Sequence, residues 1–263
     1  MVRELRKRGM REWEPDHRRE GRSMAKPAVI LVGADKGGVG KTMVTRTLLD
    51  YFDAHKMRMR AFDTESPRGT LKRFHPEVTD VVDITTIPDQ MRIFDTLNST
   101  DVTVIDIRAG LLTNTLKALE EIGFIDAARN GQLVVSVFHI LGPSIASLDE
   151  ITEVAPFVSE GCHFLVKNFI NNTTFFDWDP ATHESYFQRS KNARSLVVPH
   201  LNEMACEQIE LASVPFATFV ADKTANGKDA SYSFVLRGYA RHWLGNVWAE
   251  YDRVKLRDLV EAA

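Results

Sequence analysis

Apolar and polar positions along the chain fall into two alternating kinds of segment. Short stretches at 27–32, 57–62, 101–106, 133–138, 161–168 and 195–199 are apolar with few interruptions. Near-continuous apolarity over strand length is the pattern of a parallel strand covered on both faces. Between them lie longer segments with helical spacing, at 43–55, 88–97, 111–129, 143–158 and 204–211. Strand and helix in alternation predict an α/β chain with three layers, a mostly parallel sheet flanked by helices. Residues 81–86 are a short strand candidate, 214–220 a strand or a loop, and 223–228, with Asn226-Gly227, a polar turn. A final helix is expected over 231–260, with Phe234, Val235, Tyr239, Trp243, Val247 and Tyr251 forming an apolar stripe.

The first strand runs into Gly33-Ala-Asp-Lys-Gly-Gly-Val-Gly-Lys41-Thr42, and a helix follows. Strand, glycine loop, then Lys-Thr opening a helix is the context of a phosphate-binding P-loop. Glycines let successive backbone N–H groups converge on one phosphate, and the helix N-terminus adds partial positive charge there. Lys41 is placed to reach the β- and γ-phosphates, and the Thr42 hydroxyl to hold Mg²⁺. A plain strand-to-helix turn needs one or two glycines, not Gly37, Gly38 and Gly40 followed by Lys-Thr. The expected nucleotide contacts in this stretch are Asp35, Lys36, Gly37, Gly38, Val39, Gly40, Lys41, Thr42 and Met43.

Asp35 stands where the usual pattern has its first glycine, and a second lysine, Lys36, precedes the paired glycines. Lys-Gly-Gly-Val-Gly-Lys-Thr resembles the deviant Walker A motif of the ParA/MinD family of ATPases. The resemblance extends over about 27–199 and carries further expectations. It implies that Lys36 crosses a dimer interface to the partner's nucleotide. Asp63 and Glu65, in Asp63-Thr-Glu65-Ser-Pro67-Arg-Gly69, look like the family's switch I acidic pair. Asp63 would then serve Mg²⁺, and Glu65 would orient the attacking water from a side chain one methylene longer than the usual Asp. Asp106, closing an apolar strand four residues before Gly110, is similar to the Walker B aspartate and switch II; Arg108-Ala109 stand where many members have proline. Asn168, at a strand end, is the candidate for the adenine contact, with Pro199 and His200 weaker ones. A polar turn could account for Ser66, Pro67 and Gly69, and a strand-closing Asn for Asn168.

The resemblance implies a Mg-ATP-dependent, cytoplasmic homodimer that hydrolyses ATP slowly, is stimulated by a protein partner, and positions or partitions DNA, plasmid or protein cargo. Two other readings stand beside it. One is a dethiobiotin-synthetase-like ligase of the same superfold, which would not need Lys36. The other is a low-turnover nucleotide-dependent scaffold, which Glu65 permits. Cys162 and Cys206 are far apart, in no metal-like spacing, which sets aside an iron–sulphur carrier and suits reduced thiols.

A net charge of −3 over 263 residues gives no global attraction to nucleic acid, so DNA contact would need a local patch. Lys223, Arg237 and Arg241 are the candidates. Asp252, Asp258 and Glu261 dilute the basic face of the last helix, which argues against a membrane helix. Residues 1–26 mix Arg and Lys with Glu and few apolar residues, and read as a basic, disordered arm ahead of one domain at 27–263. A solvated tail is favoured over an arm for DNA or an acidic partner, and Met24 could be the natural start. Phe175, Phe176, Trp178, Tyr186 and Phe187 cluster among acidic residues and His183. They read as a lid packed on its own aromatics rather than as a partner-binding insertion.

Overall fold

The computed structural model describes residues 26–159, 162–170, 173–188, 190 and 193–261; the expected basic arm lies almost wholly outside them. The strands are β1 (Ala28–Gly33), β2 (Met59–Asp63), β3 (Thr79–Val81), β4 (Val102–Asp106), β5 (Val134–Leu141), β6 (His163–Asn168) and β7 (Arg194–Val198). They pair in parallel in the order β3-β2-β4-β1-β5-β6-β7. The helices are α1 (Lys41–Ala54), α2 (Ile87–Phe94), α3 (Leu112–Glu121), α4 (Phe124–Arg129), α5 (Ile145–Val154), α6 (Pro180–Phe187), α7 (Glu203–Ala212), α8 (Phe216–Val220), α9 (Phe234–Arg253) and α10 (Leu256–Glu261). The three-layer α/β architecture expected from the sequence is the one observed.

The layers follow from the two-residue period of a strand. On β1, Ala28, Ile30 and Val32 join Val102, Val104, Phe138 and Ile140 in a core roofed by α1, α7, α8 and α9. Val29 and Leu31 point the other way, to Ile105, Val137, Leu112, Leu116 and Ile93. All six residues of β1 are buried. The first loop after β1 therefore starts at the centre of the sheet, at the carboxyl ends of the strands where α/β folds bind ligands.

Several elements differ from expectation. The short strand lies at Thr79–Val81, two residues early, and 82–86 is a turn. The expected helix at 111–129 is broken at Gly123, whose φ of +77° suits glycine, into α3 and α4. Residues 216–220 are helical, neither strand nor loop, because the Asp50 carboxylate of α1 accepts the Ala217 N–H at the start of α8. The last helix ends at Arg253 and restarts as α10. Its apolar stripe splits: Trp243, Val247 and Tyr251 are buried, whereas Phe234, Val235 and Tyr239 are exposed. Phe175 is buried with Leu141, Leu148, Ile151 and Leu165, with Phe176, Tyr186 and Phe187 packed around it, so the aromatic segment covers a core of its own; Trp178 stays exposed.

The β7 edge is closed by side chains of α9. Glu250 Oε2 accepts the Val197 N–H at 3.0 Å, and Arg253 donates to the Ser195 carbonyl at 2.6 Å while pairing with Glu250.

Candidate functional site

The loop between β1 and α1 turns back on itself through Gly38 (φ +72°) and Gly40 (φ +86°). Gly40 is the N-cap of α1 and contributes no side-chain cap, so the start of α1 is left to present its backbone N–H groups outward. Lys41 Nζ donates to the Lys36 carbonyl at 3.2 Å, which folds the lysine across the loop. Burial lowers the Lys41 pKa, and the nearby Asp106, Glu65, Glu150 and Asp35 carboxylates oppose that shift.

Thr42 Oγ1 donates to Asp106 Oδ2 at 2.7 Å. Asp106 and Asp63 end neighbouring strands in direct register. Burial, with the Asp63 charge adding to it, pushes the Asp106 carboxyl up to about 7. Two buried carboxylates beside a threonine hydroxyl are oxygen donors suited to a hard cation such as Mg²⁺. Among the described residues no group of three His, Cys, Asp or Glu could hold a metal. A cation here would complete its shell with water and phosphate oxygens, as Mg²⁺ does with nucleotides. Asp63 also folds the turn that follows it, because Oδ1 accepts the Glu65 N–H at 2.9 Å and Oδ2 the Leu71 N–H at 2.7 Å. Glu65 Oε2 accepts from Thr70 Oγ1 at 2.5 Å.

Three candidate residues occupy places the sequence pattern did not indicate. The Asp35 carboxylate turns to α3, not toward the helix α1 N-terminus: Oδ1 accepts the Leu112 N–H at 3.0 Å and Oδ2 accepts from Thr113 Oγ1 at 2.8 Å. Lys36 Nζ donates to Ser144 Oγ, the cap of α5, at 3.1 Å and is exposed. Asn168 Nδ2 donates to the Val39 carbonyl at 2.9 Å and reaches the Gly40 carbonyl at 3.5 Å, so the side chain braces the loop; its Oδ1 is buried without a hydrogen-bond partner.

The other candidates lie as follows. Gly110 takes φ +80° in the loop between β4 and α3. Arg108 is exposed, and its charge helps to lower the Asp83 pKa after two hydrogen bonds from Thr85. Pro199 follows β7, next to β6, and its carbonyl accepts from Trp243 Nε1 at 2.6 Å. His200 is exposed. Of the basic residues considered for DNA, Lys223 pairs with Asp229 and Arg237, mostly buried, with Asp222, while Arg241 is exposed on α9. His183 lies near Asp177, which also pairs with Lys167 Nζ, in an ionic group that ties the aromatic segment to β6.

Two neighbours of the candidate site carry no signal in the sequence. Thr64 Oγ1 donates to the Asp106 carbonyl at 3.0 Å and accepts the Arg108 N–H at 2.8 Å, joining the loops after β2 and β4. Glu150 is buried in α5, where Oε2 accepts the Asp35 N–H at 3.1 Å and faces His139 Nε2 at 3.2 Å. A lone Thr and a lone Glu have no periodic or motif context by which to be found.

No family model and no curated protein matches the chain. Solved structures do. One is a nucleotide-binding protein from Archaeoglobus fulgidus in complex with ADP, 14% identical over 70% of this chain and 85% of that one, with a TM-score of 0.44. A second is MinD in the MinC:MinD cell division complex of Aquifex aeolicus, 14% identical over 83% and 96% with a TM-score of 0.47. A third is MinD alone from Aquifex aeolicus, 14% identical over 83% and 97% with a TM-score of 0.45.

Proposed function

We propose that this chain is a ParA/MinD-like ATPase that binds Mg-ATP at the β1–α1 loop and works as an ATP-dependent homodimer. The observation that carries the reading is the Thr42–Asp106 hydrogen bond, set in a buried carboxylate pair directly behind Lys41. In nucleotide-binding sites the Thr hydroxyl and the strand-end Asp meet at the magnesium ion. The backbone N–H groups of 37–42 would hold the phosphates, and Lys41 would turn from the Lys36 carbonyl onto the β- and γ-phosphate oxygens. Mg²⁺, when bound, neutralises developing phosphate charge. Asn168 is the candidate for the adenine contact: its buried Oδ1 has no hydrogen-bond partner and would accept an amino hydrogen of the base.

Lys36 is the candidate for the contact across the dimer. It would give up one exposed hydrogen bond, to Ser144, at a cost of about 1 kcal/mol. That small cost lets ATP select the dimer through the new Lys36–phosphate contact. Glu65 is the candidate to orient the attacking water. Its bond to Thr70 supports slow hydrolysis that a protein partner accelerates by rearranging this turn. The same observation favours a low-turnover scaffold as the second reading. Positioning of DNA, plasmid or protein cargo is the cellular role proposed. With Lys223 and Arg237 engaged in ion pairs, any DNA contact would centre on Arg241. No helix among the described residues is long and apolar enough to cross a membrane.

The test is the mass in solution of wild type and Lys36→Ala with ATP, ADP and no nucleotide, with phosphate release followed in parallel. An ATP-dependent dimer that Lys36→Ala abolishes, with ATP still bound by the monomer, is the expected result. A mass indifferent to bound ATP would overturn the dimer, and failure of wild type to bind Mg-ATP would overturn the whole reading.

A further inference from the structure

The helix that follows the Asp106 loop begins without a cap of its own. The N-cap position of α3 is Leu111, which has no side-chain oxygen, and no side-chain hydrogen bond caps the helix there. Its first turn is held instead by Asp35, 77 residues away, whose two carboxylate oxygens accept the Leu112 N–H and the Thr113 hydroxyl. The backbones are fitted to the same junction. A Cβ on Gly33 would come within 2.8 Å of the Leu112 side chain, and one on Gly37 within 3.8 Å of Ala109. On its other side the Asp35 N–H is fixed by the buried Glu150 carboxylate, which faces His139. Asp35 thus belongs to the glycine loop by sequence and to α3 by its hydrogen bonds.

We propose that Asp35 is a positioning residue that couples nucleotide at the loop to the segment 107–116. The proposal rests on the reading of that loop as the nucleotide site. The physical cause is charge. While it caps α3, the carboxylate faces a helix N-terminus, whose dipole stabilises it. Released from the cap, it would be an anion left free in a loop that must accept a polyphosphate. Nucleotide therefore binds the capped arrangement better than the uncapped one. A ligand that discriminates in this way shifts the population toward the capped form. Substituting Asp for the first glycine of the usual pattern thus ties the first turn of α3 to the occupancy of the loop.

Backbone hydrogen exchange over 107–116 tests this, with and without the non-hydrolysable analogue Mg-AMPPNP, in wild type, Asp35→Gly, Asp35→Asn and Thr113→Val. In wild type the analogue slows exchange at Leu112, whose N–H Asp35 accepts, and at Thr115, whose N–H closes the first turn on the Leu111 carbonyl. In nucleotide-free Asp35→Gly, exchange there rises roughly fivefold, the size expected for losing one helix cap. The analogue still binds, because the carboxylate is not a phosphate ligand, but no longer slows exchange. Asp35→Asn keeps an acceptor for the Leu112 N–H, so it restores the slow nucleotide-free exchange; lacking the charge, it shows a smaller response to the analogue. Thr113→Val, which leaves the loop sequence intact, accelerates exchange by less than Asp35→Gly. Unchanged nucleotide-free exchange in both Asp35→Gly and Thr113→Val would overturn the proposal. So would a wild type that binds the analogue with no change over 107–116, or a full analogue response in Asp35→Asn. A wild type that does not bind the analogue overturns the coupling and the nucleotide reading together. The nucleotide-free comparison then still reports separately whether Asp35 caps α3.

Discussion

Replacing Gly40 with alanine should damage the glycine loop through two separable costs. Gly40 has φ 86° and ψ 32°, the left-handed region. An alanine there costs about 1–2 kcal/mol in backbone energy. The added methyl would also overlap the Asn168 amide nitrogen and approach Ile170 Cγ2 at 3.3 Å. Moving Asn168 aside breaks its 2.9 Å bond to the Val39 carbonyl, worth about 1 kcal/mol net. Gly40→Ala should therefore lose about 2–3 kcal/mol in urea unfolding without nucleotide. Asn168→Ala alone should lose about 1 kcal/mol, for the same bond. The double variant opens the space that the methyl needs, and the bond can be lost only once. It should match Gly40→Ala and fall about 1 kcal/mol short of the sum of the singles. Measured additivity within about 0.5 kcal/mol would refute the overlap. An Asn168→Ala protein as stable as wild type, with weaker affinity for an ATP analogue, would show Asn168 to serve the base alone.

Two further expectations concern pH. Burial pushes the Asp50 carboxyl from the usual 3.8 up to about 7, against a hydrogen bond from Ala217 and the Arg46 charge. The folded state thus keeps a proton that the unfolded state has released, and stability falls as pH rises from 3.8 to about 7. Asp50→Asn should remove that dependence, gaining on wild type by an amount on the order of 4 kcal/mol between pH 4 and pH 8; parallel urea-unfolding curves for the two proteins would contradict it. His163, stacked on His139, is pushed down to about 3 by burial and then by its neighbour. It stays neutral when folded and takes a proton only on unfolding, so its contribution is lost as pH drops below 6.5. Relative to His163→Gln, wild type should lose up to about 1.4 kcal/mol per pH unit between 6.5 and 3. A pH-independent difference in unfolding free energy would rule this out.

The strands and the glycine loop were legible because their causes are local. β1, β4 and β6 are buried on both faces and read as apolar runs, and Gly38 and Gly40 are needed where φ is positive. What was illegible has distant causes. The start of α8 is completed by Asp50 and the start of α3 by Asp35, so neither helix carries its own cap. The stripe of α9 misled because periodicity gives a face and not a length: full burial begins at Ala240, with Leu236 partly buried against the core before it, leaving Phe234, Val235 and Tyr239 outside. At the candidate site, residue type nominated Lys41, Thr42 and Asp106, and the fold sets Thr42 against Asp106. Direction was decided by contacts made in the fold, which turned Asp35 to α3, Lys36 to Ser144 and the Asn168 amide beneath the loop.

The arrangement along β7 bears on how the chain behaves when crowded. A sheet edge exposes a row of backbone groups that any extended peptide can extend by pairing. On β7 the N–H of Val197 and the carbonyl of Ser195 are already occupied by Glu250 and Arg253. At the opposite margin, β3 offers only three residues. The seven-stranded sheet is therefore protected against templating a second molecule for as long as the last two turns of α9 stay docked. Loosening those turns would turn a covered sheet edge into a seed for aggregation.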